Sequence, residues 1–338
     1  MNLNLPFVYL ISFFIFFILY KNLNLITVKL NLIDHPDKKR KLHKKKTSLI
    51  GGLMIFLCLL YLIIIDQIFN INDNFLFKLI TILIPILIVG LLDDMHNFSP
   101  TNKTILKSIL ILLFLSLNKE FLLRELYFDD FKKIYLFSDF ISYFITLFCL
   151  LLLINAFNMS DGINGLAHSI SIVWLIILII LFNLNITFYF ITMIIFLSFI
   201  FNYQGKYFLG NSGSLLISSF VGLLTIYLYN FNLNSENLVS VEKIILLFLI
   251  PGLDMLRLFI LRISNSKSPF SGDANHFHHY LIKNLYLYRV IIIYLFLILW
   301  PFIFLEFYKI KFFFIFLLQA IIFFFLVSYF KNKNLRID

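Results

Sequence analysis

The chain has 338 residues, of which 61% are hydrophobic and 14% charged, with a formal net charge of +10. A soluble domain of this size is about half apolar and a quarter charged, because it must still clothe its surface in water. The composition excludes an ordinary soluble enzyme, a disordered chain and a disulfide-stapled domain, and a mean hydropathy of +0.94 points to a chain that lies mostly in lipid. Cys58 and Cys149 sit in apolar runs without CxxC or Cys/His spacing, so neither a disulfide framework nor a thiolate metal site is indicated.

A membrane span needs about 20 apolar residues, and a helix satisfies every backbone polar group within its own segment. Runs of this kind fall at 5–20, 48–66, 76–92, 104–117, 139–156, 166–182, 187–203, 214–229, 242–262, 289–307 and 312–330. They predict an all-α, polytopic membrane protein of about eleven transmembrane helices, organised as a single domain over 1–338. The first run has no cationic start and no small-residue cleavage site, which predicts an uncleaved helix.

Polar elements punctuate these runs in order. After the first comes Asp34-His-Pro-Asp-Lys-Lys-Arg40-Lys41-Leu-His43, continued by Lys44, Lys45 and Lys46 and followed by Gly51-Gly52. A basic run beside spans reads as cytoplasmic retention and contact with anionic headgroups, not as a nucleic-acid surface. The third run closes on Gly90-Leu-Leu-Asp93-Asp94. Carboxylates at membrane depth usually face a cavity or a cation, and Mg²⁺ favours one or two of them with water and substrate phosphate completing its shell. Segment 118–138 is polar and fits either a hairpin or an interfacial helix.

The fifth run flows into Asn155-Ala-Phe-Asn158-Met-Ser-Asp161-Gly-Ile-Asn164-Gly, whose positions 155, 158 and 161 form a polar stripe on one helix face. Its glycines allow a tight turn and close approach of backbone N–H groups to a ligand. Before the eighth run stands Gly205-Lys-Tyr-Phe-Leu-Gly210-Asn211-Ser-Gly-Ser, which reads as a helix cap and equally as an anion cradle. The ninth run carries Arg257 and Arg262 and leads into Ser268-Pro-Phe-Ser-Gly-Asp273-Ala-Asn-His276-Phe-His278-His279. No cysteine and no i, i+4 histidine pair accompanies these imidazoles, so a diphosphate and its sugar suit them better than zinc.

The distribution of Lys and Arg sets the expected orientation. Joints after the odd-numbered runs, with the tail, hold 20 of them against 8 on the opposite side. The amino terminus is therefore expected outside and the carboxyl terminus in the cytoplasm. All seven histidines, with Asp93, Asp94, Asp161, Asp254 and Asp273, fall on the same inner face.

Taken together and in this order, the motifs resemble the polyprenyl-phosphate N-acetylhexosamine-1-phosphate transferases. The similarity runs from Asp34 to His279. The Asp273 to His279 loop is similar to the undecaprenyl-phosphate N-acetylglucosamine-1-phosphate transferase-like branch of glycosyltransferase family 4, and less like the peptidoglycan branch. The resemblance implies a multi-pass protein of the bacterial inner (plasma) membrane with its active site at the cytoplasmic face. It further implies Mg²⁺ or Mn²⁺ dependence, a UDP-N-acetylhexosamine donor, a polyprenyl phosphate acceptor such as undecaprenyl phosphate, and release of UMP. Membrane lipid is then a partner, nucleic acid is not, and a homodimer is an assembly it allows.

Carried onto this chain, the resemblance makes Asp93, Asp94 and Asp161 the catalytic candidates. Asp94, Asn158 and Asn211 become the metal candidates. Arg40, Lys41, His43, Lys103, Asn155, Asn164, Arg262, Asp273, His276, His278 and His279 are expected at the substrates. Two departures stand out: Asn211 replaces an aspartate metal ligand of the family, and Asn164 stands where a second aspartate is frequent. An amide oxygen coordinates a hard cation but brings no charge. The roles open to Asp93 are orientation of the lipid phosphate and proton removal. A phosphate monoester is already largely dianionic at neutral pH. The competing readings are a catalytically inactive scaffold of the same family and a transporter with intramembrane carboxylates.

Overall fold

The computed structural model describes residues 5–34, 46–72, 74–233, 238–269 and 273–334. Thirteen α-helices occur among them: α1 Leu5–Lys21, α2 Leu23–Lys29, α3 Gly51–Ile68, α4 Phe75–His96, α5 Pro100–Leu117, α6 Asp139–Ser160, α7 Leu166–Phe182, α8 Ile186–Tyr203, α9 Gly210–Asn232, α10 Val241–Ser264, α11 Phe277–Ile282, α12 Leu287–Tyr308 and α13 Phe312–Asn334. Strands β1 (Ile33–Asp34) and β2 (Thr47–Ser48) make a short ladder, and β3 (Glu125–Phe128) pairs antiparallel with β4 (Lys133–Leu136).

A helix lies over each of the eleven apolar runs. Among the described residues nine are long and apolar enough to cross a bilayer by themselves, and α1 with α2, bent by 64°, is a tenth candidate when the pair is counted as one span. Helix α7, at 17 residues, is apolar but shorter. The protein is thus a nearly all-α, multi-pass membrane protein.

Local chemistry sets the helix ends that matter for the site. Asn97 closes α4 in the left-handed region, with φ 52°, a conformation that asparagine tolerates better than most residues. Ser99 then caps α5 by accepting from Asn102 N at 3.3 Å, and Pro100 takes the first helical position, where no N–H is needed.

Helix α9 is the hub of the bundle, packed against α3, α4, α6 and α7. Its first turns carry Ser212, Gly213 and Ser214, all buried. Without a hydrophobic driving force between helices in lipid, small residues decide how closely backbones approach. A Cβ added at Gly52 of α3 would lie 2.3 Å from Gly213 N, and one at Gly90 of α4 would lie 2.4 Å from Ser212 Cα. Both neighbours are backbone, so neither can move aside cheaply. These contacts fix the start of α9 against the end of α4.

The hairpin alternative holds for segment 118–138, after a single 3₁₀ turn at Lys119–Phe121. The hairpin is tied to the bundle by Tyr127 N donating to Tyr229 Oη at 2.7 Å and Asp130 N donating to Glu242 Oε1 at 3.2 Å.

Candidate active site

The two aspartates closing α4 have different surroundings. Asp93 is fully buried; its Oδ1 accepts from Phe98 N at 2.9 Å and its Oδ2 lies 2.6 Å from Lys103 Nζ. It clasps the turn between α4 and α5. Asp94 points to α9 instead: Oδ1 accepts from Asn211 N at 2.8 Å and from Asn211 Nδ2 at 3.1 Å, and Oδ2 accepts from Ser212 N at 3.0 Å. A carboxylate here satisfies orphan N–H groups and meets the positive end of the helix dipole. Gly210, at φ +76°, makes room for it, since a Cβ there would stand 2.7 Å from Asp94 Oδ2.

The end of α6 enters from a second side. Asn155 Oδ1 accepts from Lys107 Nζ at 2.6 Å, and Asn158 Oδ1 accepts from Ser214 Oγ at 2.8 Å. Asp161 follows the last helical residue, and no donor among the described residues bonds its carboxylate. Burial, then the nearby Asp94 charge, pushes this carboxyl up to about 7. The turn beyond it is held by Asn202, whose Oδ1 accepts from Gly165 N at 2.6 Å while its Nδ2 donates to Tyr207 O at 2.9 Å. Asn164 lies beside Gly205 across this junction.

The histidine loop closes a third side. A Cβ at Gly162 would fall 2.0 Å from His278 Nε2, so glycine is what lets this ring reach the Asp161 turn. The imidazole centroids of His276 and His278 are 5.2 Å apart, and those of His278 and His279 are 4.2 Å apart. Burial depresses both His278 and His279, the latter to about 4, with neighbouring imidazoles adding to the effect, so both rings are neutral at physiological pH. Both ring nitrogens of buried His278 lack a hydrogen-bond partner among the described residues.

Asp254 braces this loop by accepting from Arg257 Nη2 at 2.7 Å and from Phe277 N at 3.2 Å. Arg257 Nη2 also donates to Asn275 O at 2.6 Å. Arg262, expected at the substrate, is buried and donates to Asp273 Oδ2 and to Pro269 O, each at 2.7 Å. Arg262 and Asp273 therefore hold the loop in shape with each other, and that pairing keeps Asp273 below the usual carboxylate range.

The expected site residues Asp93, Asp94, Lys103, Asn155, Asn158, Asp161, Asn164, Asn211, His276, His278 and His279 thus gather at one end of the bundle, at the termini of α4, α5, α6, α9 and α11. Arg40, Lys41 and His43 lie outside the described residues. The Gly51-Gly52 pair that follows them docks on the same region, with Gly51 N donating to Phe208 O at 3.2 Å and Gly52 N to Leu209 O at 3.1 Å. Lys107 and Asn202 also build this site and lie outside the motifs. Lys107 is the one with a readable signal, a lysine four residues after Lys103 inside an apolar helix.

The donor set fits a hard divalent cation. Asp94 and Asp161 are within electrostatic reach of each other, and among the described residues no donor bonds Asp161 to offset its charge. Asn211, whose Nδ2 is committed to Asp94, keeps its amide oxygen for another partner. Among the described residues no three His, Cys, Asp or Glu side chains are grouped for a metal. A cation here would rest on two carboxylates and amide oxygens, with substrate phosphate completing its shell.

Residues 76–229 match the family model described as Glycosyl transferase family 4. A relative from Yersinia pestis named undecaprenyl-phosphate alpha-N-acetylglucosaminyl 1-phosphate transferase is 28% identical over 299 residues, covering 84% of this chain and 77% of its own. A relative of the same name from Thermotoga maritima is 28% identical over 287 residues, covering 84% and 83% respectively. One from Bacillus subtilis, named probable undecaprenyl-phosphate N-acetylglucosaminyl 1-phosphate transferase, is 26% identical over 284 residues, covering 80% and 75%. The segment that resembles this family model spans α4 to α9 and includes both aspartates of α4, the 155–165 turn and the start of α9.

Proposed function

We propose that the protein transfers a hexosamine 1-phosphate, N-acetylglucosamine 1-phosphate in the first instance, from a UDP-sugar to a polyprenyl phosphate. An oxygen of the lipid phosphate forms a bond to the sugar-linked phosphorus. The bond from that phosphorus to the bridging oxygen breaks, UMP leaves, and a lipid-linked sugar diphosphate remains to start an envelope polysaccharide. The observation that carries the reading is the junction of Asp94 with the N-terminus of α9, beside an Asp161 carboxylate that no donor among the described residues satisfies and a turn that His278 touches.

Both reactants are anions, so charge and positioning dominate the barrier. Asp94, Asp161, Asn158 and Asn211 are the residues that would hold Mg²⁺ or Mn²⁺, which supplies charge stabilisation to the diphosphate and the leaving UMP when bound. Neutral His278, with two unpartnered ring nitrogens, is suited to hydrogen-bond a phosphate oxygen or sugar hydroxyl without adding charge. Asp93 has one oxygen on Phe98 N and the other on Lys103, which favours a positioning role over proton removal.

The sequence asymmetry of Lys and Arg between alternate joints, 20 against 8, supports a cytoplasmic site. The amino terminus is then outside, the carboxyl terminus inside, and α7 is an eleventh span. The test is UMP release by the purified protein from UDP-N-acetylglucosamine and polyprenyl phosphate with Mg²⁺. Turnover that is lost with EDTA and in Asp161→Asn supports the proposal. Silence across the common UDP-hexosamines assigns the chain to the inactive scaffolds of its family.

A further inference from the structure

Helix α5 presents two unlike sides. Ile105, Leu106, Ile109, Leu112 and Leu113 are exposed and face the region that lipid would occupy. Its inward stripe is Lys107, Ile111, Phe114 and Leu115, at the spacing of one helix face. A lysine thus opens a stripe that is otherwise apolar.

Lys107 is only 3% exposed, and its Nζ donates to the neutral Asn155 amide at 2.6 Å. A buried ammonium is costly unless a counter-charge accompanies it. The carboxylate within its electrostatic reach is Asp93, and that group already pairs with Lys103 at 2.6 Å. Two cations therefore share one anion where α4, α5 and α6 meet, which leaves a positive excess. Towards α9 the balance is reversed, since Asp94 and Asp161 bring two carboxylates with no cationic side chain among the described residues bonded to either. The site is divided into an anionic half fit for a metal–diphosphate and a cationic half fit for a bare phosphate.

We infer that Lys107, held by Asn155 and set beside Lys103, is the positioning residue that docks the phosphate of the polyprenyl acceptor. This rests on the transferase reading above. The acceptor is the substrate with a long apolar tail, and the cationic half lies on the helix whose other side is bare and apolar. The tail runs along the exposed face of α5 while its phosphate turns inward between Lys103 and Lys107. The UDP-sugar takes the other half.

The test uses the full chain in nanodiscs, with Lys107→Gln, Lys107→Arg and Asn155→Asp. Glutamine keeps a donor for Asn155 and removes the charge, arginine keeps the charge, and aspartate at 155 gives Lys107 an internal counter-ion that competes with the ligand. Loss of one charged hydrogen bond is expected to raise KM for polyprenyl phosphate about tenfold in Lys107→Gln and Asn155→Asp. KM for the UDP-sugar stays within about twofold, and Lys107→Arg recovers most of the acceptor affinity. Thermal stabilisation by polyprenyl phosphate, read without donor, weakens in the same two variants. Inorganic phosphate and polyprenyl alcohol, each added alone, stabilise the wild type far less than the intact lipid phosphate does. The inference is overturned if both KM values rise together, if neither moves in a variant that melts like the wild type, or if free phosphate stabilises as well as the lipid does. Should Lys107→Gln fail to fold, Asn155→Asp and Lys107→Arg still decide by the same split. A wild-type protein that neither releases UMP nor is stabilised by the lipid overturns the transferase reading itself, whereas normal turnover with unchanged acceptor kinetics overturns this inference alone.

Discussion

Asp161→Asn is expected to make the metal-free protein more stable while abolishing its turnover. The Asp161 carboxyl is pushed from its ordinary 3.8 to about 7, by burial first and by Asp94 second. At about 1.36 kcal/mol per unit, the ionised form is destabilised by up to ~4 kcal/mol in the folded state. Side-chain relaxation and water at this partly exposed turn reduce that ceiling, so about 2 kcal/mol is a working figure. With an unfolding entropy of about 2 cal/mol/K per residue, this corresponds to a rise of about 3 °C in Tm.

The sign follows from linkage. The unfolded chain releases the proton near 3.8 and the folded chain near 7, so stability attributable to Asp161 falls as pH rises through that window. The gap between variant and wild type therefore widens from about pH 4 to pH 7 and is constant above it. On the proposed reading Mg²⁺ takes the ionised form, so it is expected to raise the Tm of the wild type above pH 7 and to leave Asp161→Asn nearly unmoved. Melting curves by intrinsic fluorescence at pH 5.5 and pH 8, with and without Mg²⁺, read all of these. A variant that melts below the wild type at pH 8, or that gains as much from Mg²⁺, refutes the reasoning.

Three further perturbations test separate parts of the site. Asp94→Asn removes an anion from the N-terminus of α9, and the loss of this cap is expected to cost about 1–2 kcal/mol, seen as a lower Tm, together with loss of UMP release. Gly90→Ala places a Cβ 2.4 Å from Ser212 Cα and should prevent recovery of a monodisperse protein, while Gly252→Ala, with nothing within 4 Å, should purify and turn over like the wild type. Asn211→Asp replaces the amide that donates to Asp94 with a like charge; Mg²⁺ titration of the Tm should show a lower metal-free value and a lower half-saturating Mg²⁺ concentration, the reverse of a purely structural role for Asn211.

The helices were legible because lipid imposes a coarse rule. Each of the eleven apolar runs carries a helix, and the ends shift by a few residues: Ser99-Pro100 starts α5 four residues before its run, whereas α3 starts at Gly51, three residues inside its run. The 64° break after Lys21 was not legible, since Leu23–Lys29 has no proline or glycine to announce it. The hairpin at Glu125–Leu136 was undecided in the sequence because its strands are short and its anchors, Tyr229 and Glu242, lie about a hundred residues away.

For the site, the motifs located the residues but not their tasks. Adjacent aspartates look equivalent in sequence, yet the α4 terminus turns one towards Lys103 and the other towards α9, because successive side chains on a helix diverge by about 100°. Asp93 becomes part of the frame between α4 and α5, and Asp94 part of the surface at the start of α9. The same reasoning separates Arg262, which is spent on Asp273, from Lys107, whose bonded partner is a neutral amide. A charge acts on a substrate only to the extent that the protein has not already neutralised it. By that measure Asp161 and Lys107 stand out, since neither bonds a group of opposite charge among the described residues, and they lie on opposite halves of the site. The proposed transfer, which would bring two anions together, calls for that division: one half suited to recruit a cation, and another that acts as one.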